Sequence, residues 1–242
     1  MGIGRELSKI HVEKGGDLVI VARSKNKLEQ LKTKLENKYS TNVLVINKDL
    51  CLPEATKEIY NEVKEAGINV DFLIINAGFG GRGKFYERDW DRDLAMINLN
   101  VVALTAFTSF FLPDFVKRNS GKILNVSSTA CFMPGPLQAV YYATKAYVTF
   151  FSNAIAEELH DTRITVTNLM PGATETDLGA VSGMDKTEVF KNTASARRVA
   201  EDGYNAMLKG KIDAFSGLTM SQKLMTSMIP FIPKKILLKT VR

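Results

Sequence analysis

The chain has 242 residues, of which 45% are hydrophobic and 24% charged, and this composition excludes a disordered, collagen-like or low-complexity protein. Two cysteines and two histidines exclude a disulfide scaffold and leave too few soft ligands for a structural zinc site, so we predict no metal centre. The net charge of +6 falls on no recognisable nucleic-acid-binding module, so we expect no nucleic-acid partner.

The chain begins with Gly2-Ile3-Gly4, which leads directly into an amphipathic helix. A glycine-rich turn at a helix N-terminus can bind a phosphate, because its backbone N–H groups approach the anion closely and the helix dipole favours negative charge. Such a turn is normally aimed by a preceding strand, and we expect that strand to be missing here. Alone, the motif is a weak indication of a dinucleotide site, and a disordered start is the alternative.

The rest of the chain alternates short β-branched runs with longer amphipathic stretches, which is typical of βαβ units around a parallel sheet. The first of these runs is apolar throughout, as expected for a strand buried on both faces. Predicted strands lie at residues 18–21, 43–46, 72–75, 123–126, 164–170 and 212–215, and predicted helices at residues 24–38, 53–66, 94–116, 138–160 and 196–208. We predict an α/β fold, a Rossmann-like doubly wound parallel sheet with helices on both faces, in a single domain over residues 1–242.

Two stretches raise the question of membrane contact. Residues 94–113 carry no charge and are long enough to span a bilayer, but Asn98 and Asn100 are costly in hydrocarbon, so we predict a buried helix. Residues 218–242 form a basic amphipathic segment, since residues 209–242 carry seven lysines and arginines against one acid. We expect this segment to cover a substrate pocket or a subunit interface, and contact with a membrane surface is the less favoured alternative. No signal-peptide pattern opens the sequence, so we expect a cytoplasmic protein.

Tyr141 and Lys145 lie four residues apart and share one face of the predicted helix 138–160. We expect the lysine ammonium to lower the pKa of the tyrosine towards a value suited to a general acid/base. Ser128 follows the predicted strand 123–126, and the carboxyl ends of parallel strands are where open α/β sheets bind ligands. The three side chains are therefore predicted to form one site. The structural alternatives are a solvent-exposed pair on the helix and a serine that caps a turn.

Together with four further motifs, these residues resemble the short-chain dehydrogenase/reductase family over nearly the whole chain. The catalytic tetrad of that family corresponds here to Asn100, Ser128, Tyr141 and Lys145. Asn98 competes for the asparagine role, but Asn100 fits the family spacing because Val101-Val102-Ala103 follow it. The resemblance implies that the asparagine stabilises a helix kink and a proton-carrying water, the serine positions the substrate oxygen, the tyrosine exchanges its proton and the lysine orients the cofactor ribose.

The remaining motifs imply a nicotinamide cofactor. Asn76-Ala77-Gly78 resembles the NNAG motif of the family, with Ile75 in place of the first asparagine. Asp49-Leu50 resembles the pair that contacts adenine, and residues 171–176 resemble the PGxxxT segment that holds the nicotinamide carboxamide. Gly2 and Gly4 correspond to the last two glycines of the TGxxxGxG motif.

Arg23 stands where NAD-preferring members carry an acid, and its planar guanidinium can pair with a 2′-phosphate, with assistance from Lys27. We therefore expect NADP(H) to be preferred over NAD(H). The implied cofactor-binding residues are Gly2, Ile3, Gly4, Arg23, Asp49, Leu50, Asn76, Ala77, Gly78, Tyr141, Lys145, Pro171, Gly172, Thr174 and Thr176.

The resemblance implies an enzyme that interconverts a carbonyl and an alcohol by hydride transfer, with Tyr141 as general acid/base. Residues 178–195 are expected to form a substrate lid, and family members usually form homodimers or homotetramers through the helices at 94–116 and 138–160. Large or polarisable side chains surround the expected pocket, so we expect an apolar small-molecule substrate. These side chains are Phe79, Cys131, Phe132 and Met133.

One departure from the family is expected to matter. A first strand and the start of the TGxxxGxG motif precede Gly2 in the family, and that strand lies in the middle of the sheet. We expect its loss to leave two central strands with unpaired backbone groups, which lowers stability and cofactor affinity. A start codon assigned too late is one explanation. The alternative function is a non-catalytic NADP-binding or dimerising relative disabled by the truncation.

Overall fold

Strands and helices alternate along the chain as the sequence predicts. The structure is a computed structural model, and it describes residues 2–176 and 193–240. The strands are β1 (Leu18–Ala22), β2 (Val43–Asn47), β3 (Phe72–Ile75), β4 (Gly121–Val126), β5 (Ile164–Pro171), β6 (Thr174–Glu175), β7 (Ala194–Ser195) and β8 (Asp213–Ser216). The helices are α1 (Ile3–Glu13), α2 (Lys25–Lys38), α3 (Ala55–Glu65), α4 (Trp90–Ile97), α5 (Leu104–Arg118), α6 (Ala139–Glu158), α7 (Ala196–Leu208), α8 (Met220–Met228) and α9 (Lys234–Thr240).

A parallel sheet in the order β3-β4-β5-β8 forms the centre of the fold. Side chains of β4 alternate between its two faces, as the pleat requires. Leu124 and Val126 pack with α1 and α7 on one face, whereas Ile123 packs with Phe115 of α5 on the other. Helices therefore cover both faces, and the predicted Rossmann-like α/β class with a parallel sheet in a single domain is confirmed.

The parallel strands do not form one continuous sheet. Within residues 2–176 and 193–240, β1 pairs only with β2, and β3 pairs only with β4 and not with β1. The facing edges of β1 and β3 both line one large cleft. Val19 and Val21 nevertheless pack in the same apolar cluster as Ile75, so side-chain contacts connect the two sheets. Among the described residues, no strand lies between these two edges.

The long predicted helix at 94–116 is divided by a change in its winding. Residues Asn98–Ala103 form a π-helical turn between α4 and α5, and such turns occur frequently at functional sites. The combined helix Trp90–Arg118 is long and apolar enough to cross a membrane, but core helices meet the same criteria. Met96 and Phe115 are fully buried, and we interpret the segment as a core helix.

The carboxyl-terminal part of the chain is helical. A capping box formed by Thr219 and Gln222 begins α8, and a short turn at Ile229–Phe231 connects it to α9. Of the predicted lid at 178–195, residues 178–192 lie outside the described residues. The described end of that segment contains β7, which pairs with β6.

Candidate active site

The predicted site residues lie at the carboxyl edge of the central sheet. Asn76-Ala77-Gly78 follow β3, Ser128 comes two residues after β4, and Pro171 ends β5. Since these strands are parallel and hydrogen-bonded in register, their carboxyl ends meet at one edge. Tyr141 and Lys145 reach the same edge from the first two turns of α6. All of these positions line one cleft with a volume of about 2070 Å³.

Tyr141 and Lys145 form a buried pair, and the partly buried Ser128 lines the same cleft. Tyr141 and Lys145 are each 6% exposed, which excludes the solvent-exposed pair considered from the sequence. The Lys145 Nζ lies 5.9 Å from the centroid of the Tyr141 ring and donates a hydrogen bond of 2.8 Å to the backbone oxygen of Val126. The Ser128 hydroxyl forms a side-chain hydrogen bond that favours the ionised form of Tyr141, and it accepts one of 3.2 Å from the backbone N–H of Ala130.

Burial determines the charge state of both groups on α6. Loss of solvent raises the pKa of Tyr141 to about 12, because the opposing effect of the Ser128 hydrogen bond is smaller. Burial also lowers the pKa of Lys145 to about 8. The expected lowering of the tyrosine pKa by the lysine is therefore wrong for the protein alone. The Lys145 ammonium is hydrogen-bonded to a backbone carbonyl, and desolvation of the phenolate is the largest influence on the pKa of Tyr141.

Asn100 is held by three hydrogen bonds in the π-helical turn. Its Nδ2 donates to the Phe79 backbone oxygen at 3.0 Å and to the Thr144 hydroxyl at 3.1 Å, and its Oδ1 accepts from the Phe79 N–H at 3.2 Å. A Cβ at Gly78 would lie 3.0 Å from Asn100 Oδ1 and 3.5 Å from Lys145 Nζ. Asn98 is only partly buried. Burial and contacts therefore favour Asn100, as the spacing predicts.

The glycine turn at the chain start lies where a cofactor phosphate would be bound. Helix α1 begins at Ile3, so the disordered start considered from the sequence is excluded. A Cβ at Gly4 would lie 2.6 Å from the Asn76 amide nitrogen, and one at Gly2 would lie 4.0 Å from Thr176 Cγ2. Only a glycine at position 4 permits this close approach, which brings the positive end of the α1 dipole to the cleft. These residues fit a dinucleotide cofactor.

The residues expected at the adenine end follow β1 and β2, the two strands of the separate two-stranded sheet. Arg23 and Lys27 line the cleft with Leu50, whereas Asp49 does not. The Arg23 Nη1 lies 4.0 Å from Asp49 Oδ2, and Asp49 Oδ1 accepts a hydrogen bond of 3.0 Å from the Cys51 N–H. The structure thus places the two cations Arg23 and Lys27 at the cleft. The Asp49 carboxylate instead stabilises the turn after β2 through its bond to the Cys51 N–H.

The segment after β5 lines the opposite side of the cleft. The Gly172 N–H donates a hydrogen bond of 2.9 Å to the Ser216 oxygen of β8. The Thr174 hydroxyl donates 2.9 Å to the Gly172 oxygen, and the Thr176 hydroxyl donates 3.5 Å to the Thr174 oxygen. These bonds fix the loop so that Pro171, Gly172, Thr174 and Thr176 all face the cleft.

The apolar pocket residues expected from the sequence are brought together only in part. Phe79 and Met133 line the cleft. Cys131 is buried, with its pKa raised to about 11 by desolvation, and Phe132 stacks on Phe215 with ring centroids 5.7 Å apart. Cys131 and Phe132, both in the short helical turn Thr129–Phe132, do not line the cleft, and we interpret them as packing residues.

Sequence reasoning missed two features of the site. Arg88 and Asp93 form a buried bidentate ion pair, with Arg88 Nε 2.9 Å from both carboxylate oxygens, and the guanidinium packs under Gly81 in the loop after β3. Gln138 lines the cleft three residues before Tyr141, and its buried Oε1 has no hydrogen-bond partner in the described part of the chain. The sequence contained one signal for each feature. Arg88 and Asp93 are opposite charges five residues apart, and Gln138 is a polar residue directly before a helix.

Comparison with known proteins agrees with this geometry. A family model described as short chain dehydrogenase matches residues 1–187. The very-long-chain 3-oxoacyl-CoA reductase of Homo sapiens is 32% identical over 186 residues, which are 74% of this chain and 58% of that protein. The 7beta-hydroxysteroid dehydrogenase of Mediterraneibacter gnavus is 27% identical over 218 residues, 89% of this chain and 82% of that protein. The chain therefore spans less than two thirds of the length of the reductase.

Solved structures share the fold. A short-chain dehydrogenase from Sphingobium yanoikuyae in complex with NADPH superposes with a TM-score of 0.84 at 25% identity, covering 96% of this chain and 93% of that one. A structure of a 7beta-hydroxysteroid dehydrogenase superposes with a TM-score of 0.87 at 22% identity, covering 99% of this chain and 92% of that one. At 22% identity the likeness concerns the fold alone.

Proposed function

The chain belongs to the short chain dehydrogenase family, and from that premise we propose that it is an NADP(H)-dependent oxidoreductase that interconverts a carbonyl and an alcohol. One observation carries the proposal. Tyr141, Lys145 and Ser128 come from two different elements, and all three are directed into a cleft bordered by the glycine turn of α1. A buried phenol, a hydroxyl and an amine at one strand edge suit proton exchange with a substrate oxygen.

In this proposal each side chain acts on the substrate oxygen or on its proton. The Ser128 hydroxyl positions the carbonyl oxygen, and Tyr141 donates the proton to it in the direction of reduction. With a pKa of about 12, Tyr141 is protonated at neutral pH and therefore ready to donate. NADP(H), when bound, supplies or accepts the hydride.

Proton return is assigned to Lys145 and Asn100. The pKa of Lys145 is about 8, so its ammonium exchanges protons near neutral pH at little cost. The Asn100 side chain holds the loop after β3 beside Lys145 and bonds Thr144 one turn along α6. In this proposal the proton reaches the tyrosine through Lys145, and Asn100 acts by positioning the loop beside that lysine.

The preference for NADP(H) rests on charge at the adenine end. Arg23 and Lys27 line the cleft there, and a guanidinium pairs bidentately with a phosphate. The test is Arg23→Asp, which is expected to weaken NADPH binding at least ~10-fold and to leave NADH binding nearly unchanged, because one phosphate contact is worth ~1.5–3 kcal/mol. Equal losses for both cofactors in a fluorescence titration would refute the assignment.

The substrate proposal is an apolar ketone or the corresponding alcohol. Phe79, Met133 and Met225 line the cleft near Tyr141, and the named relatives act on an oxoacyl-CoA and on a hydroxysteroid. A homodimer or homotetramer is also proposed. Tyr147 and Phe150 expose large rings on α6, where the family resemblance expects a subunit interface.

The interrupted sheet favours one alternative, a non-catalytic NADP-binding relative. Without hydrogen bonds between β1 and β3, the two halves of the cleft are joined by side-chain packing, which would reduce cofactor affinity. The test measures NADPH consumption with a panel of apolar ketones for this chain, for a version with an apolar strand and glycine turn added before Gly2, and for Tyr141→Phe. Turnover that is lost in Tyr141→Phe, with NADPH binding retained, supports the enzyme. NADPH binding without turnover, both in this chain and in the extended version, supports the alternative.

A further inference from the structure

The helices α8 and α9 expose large apolar side chains to solvent. Met220, Leu224 and Met228 recur at every fourth position and therefore share one face of α8. Met220 is 81% exposed, and Phe231, in the turn after α8, is 78% exposed. A separate set of side chains in this segment is buried: Thr226, Ile229 and Leu237. The exposed apolar face is therefore distinct from the buried side chains of the segment.

Positive charge accompanies this face. Residues 218–242, which contain α8 and α9, carry five basic residues and no acid, so this segment holds five of the six net positive charges of the protein. A second copy of the chain would bring two positively charged faces together, which is unfavourable. An anionic bilayer offers both a negative surface and hydrocarbon for the apolar side chains. Charge complementarity thus selects the lipid surface as the occupant.

The exposed face adjoins the opening of the active-site cleft. Met225 of α8 lines the cleft together with Tyr141 and Ser128. The Leu218 side chain, just before α8, lies 2.7 Å from the position that a Cβ at Gly172 would occupy. Helix α8 therefore lies at the cleft and not at the amino-terminal edge of the sheet.

We propose that α8 and α9 dock the protein on an anionic membrane surface, with the cleft opening facing the lipid. The pocket-covering role expected from the sequence accounts for Met225, but not for the exposure of Met220, Met228 and Phe231. An apolar carbonyl compound dissolved in the bilayer would then reach Tyr141 without crossing water. That consequence rests on the proposed function, whereas the docking itself does not.

The experiment measures binding of the full chain to vesicles by co-sedimentation, without cofactor or substrate. Vesicles of phosphatidylcholine with about 30% phosphatidylglycerol are compared with pure phosphatidylcholine, at about 0.1 M and about 0.5 M NaCl. The apolar variant is Met220→Asp/Phe231→Asp, and its control is Ile212→Asp, an exposed side chain before β8 at the opposite edge of the sheet. The charge variant is Lys235→Glu, and its control is Lys209→Glu at the end of α7.

We expect the wild type to bind the anionic vesicles at least ~10-fold better than the neutral ones and to lose most of this binding at high salt. Met220→Asp/Phe231→Asp should weaken binding at least ~10-fold, and Lys235→Glu at least ~5-fold, the effect of one lysine near a charged surface. Both controls should bind like the wild type. Circular dichroism and thermal unfolding check that each variant is folded.

Three results would overturn the proposal. They are no vesicle binding by the wild type, equal losses in the variants and their controls, and a concentration-dependent dimer in light scattering that Met220→Asp/Phe231→Asp abolishes while vesicles do not bind. The last result would assign the face to a second copy of the chain. Because the readout requires no NADPH turnover, failure of the proposed function would leave this test unaffected.

Discussion

Replacing Lys145 with methionine tests the charge balance on which the site depends. The ammonium of Lys145 is buried, and its pKa is about 8 in the folded protein against 10.5 for a lysine in water. Between these two values the unfolded chain holds more protons at this position than the folded protein does. The free energy of unfolding therefore rises with pH over that range, because the buried Lys145 ammonium loses its proton and becomes neutral.

The size of the effect follows from the shift in pKa. This lowering of the pKa costs the folded wild type ~3 kcal/mol at pH 7, where the group is charged in both states. At pH 9.5 the folded protein has released the proton and most unfolded chains have not, so ~1 kcal/mol of that cost remains. The wild type should thus gain ~2 kcal/mol over Lys145→Met between these pH values.

Urea unfolding of both proteins at pH 7 and pH 9.5 measures this difference. Subtracting the variant from the wild type removes the contributions of the other lysines, which titrate in both proteins. Tyr141→Phe is the matched control, because burial raises the pKa of Tyr141 to about 12 and the stability linked to it is lost only above pH 10. A difference between wild type and Lys145→Met that stays constant with pH would refute the buried-charge argument.

Three further substitutions test parts of the site. Gly78→Ala places a Cβ 3.0 Å from Asn100 Oδ1. This variant should lower kcat at least ~10-fold with little change in KM, because a displaced Asn100 misplaces the reacting groups. Unchanged kcat in steady-state assays would contradict this. Arg88→Met leaves the Asp93 carboxylate, 2% exposed, without its partner and should reduce the free energy of unfolding by ~3–5 kcal/mol in urea titrations. Gln138→Leu removes a buried oxygen without a partner in the described residues and should raise stability by ~1 kcal/mol; a loss would show that ordered water bonds it.

Regular elements and the residues at their ends could be predicted from the sequence. The strand at 72–75 and the helix at 196–208 have the predicted bounds, because an apolar run and a serine N-cap mark them locally. The same local signals place Ser128 after β4 and Tyr141 on the first turn of α6. Parallel pairing then brings them together, since it requires the strand ends to share an edge.

Features that depend on tertiary contacts could not be predicted. The π-helical turn at Asn98–Ala103 forms where Asn100 bonds the backbone of Phe79, a partner 21 residues away. The pKa of Tyr141 is raised and not lowered as the sequence predicts, because burial, which no sequence pattern reports, is the largest influence on it. The turn that buries Cys131 and Phe132 is likewise fixed by packing, in this case by Phe215.

The division of the sheet separates the chemistry of the site from recognition of the adenine end. Ser128, Lys145 and Asn100 are all supported by β3, β4 and the helices that pack on them, and the Lys145 bond to Val126 stays within that unit. Arg23, in contrast, extends from β1, which shares no hydrogen bonds with β3. In the proposed function the groups that exchange the proton are therefore held by the larger sheet, and side-chain packing links them to the β1–β2 pair. Loosening that pair should weaken cofactor affinity and leave the arrangement of the catalytic groups intact.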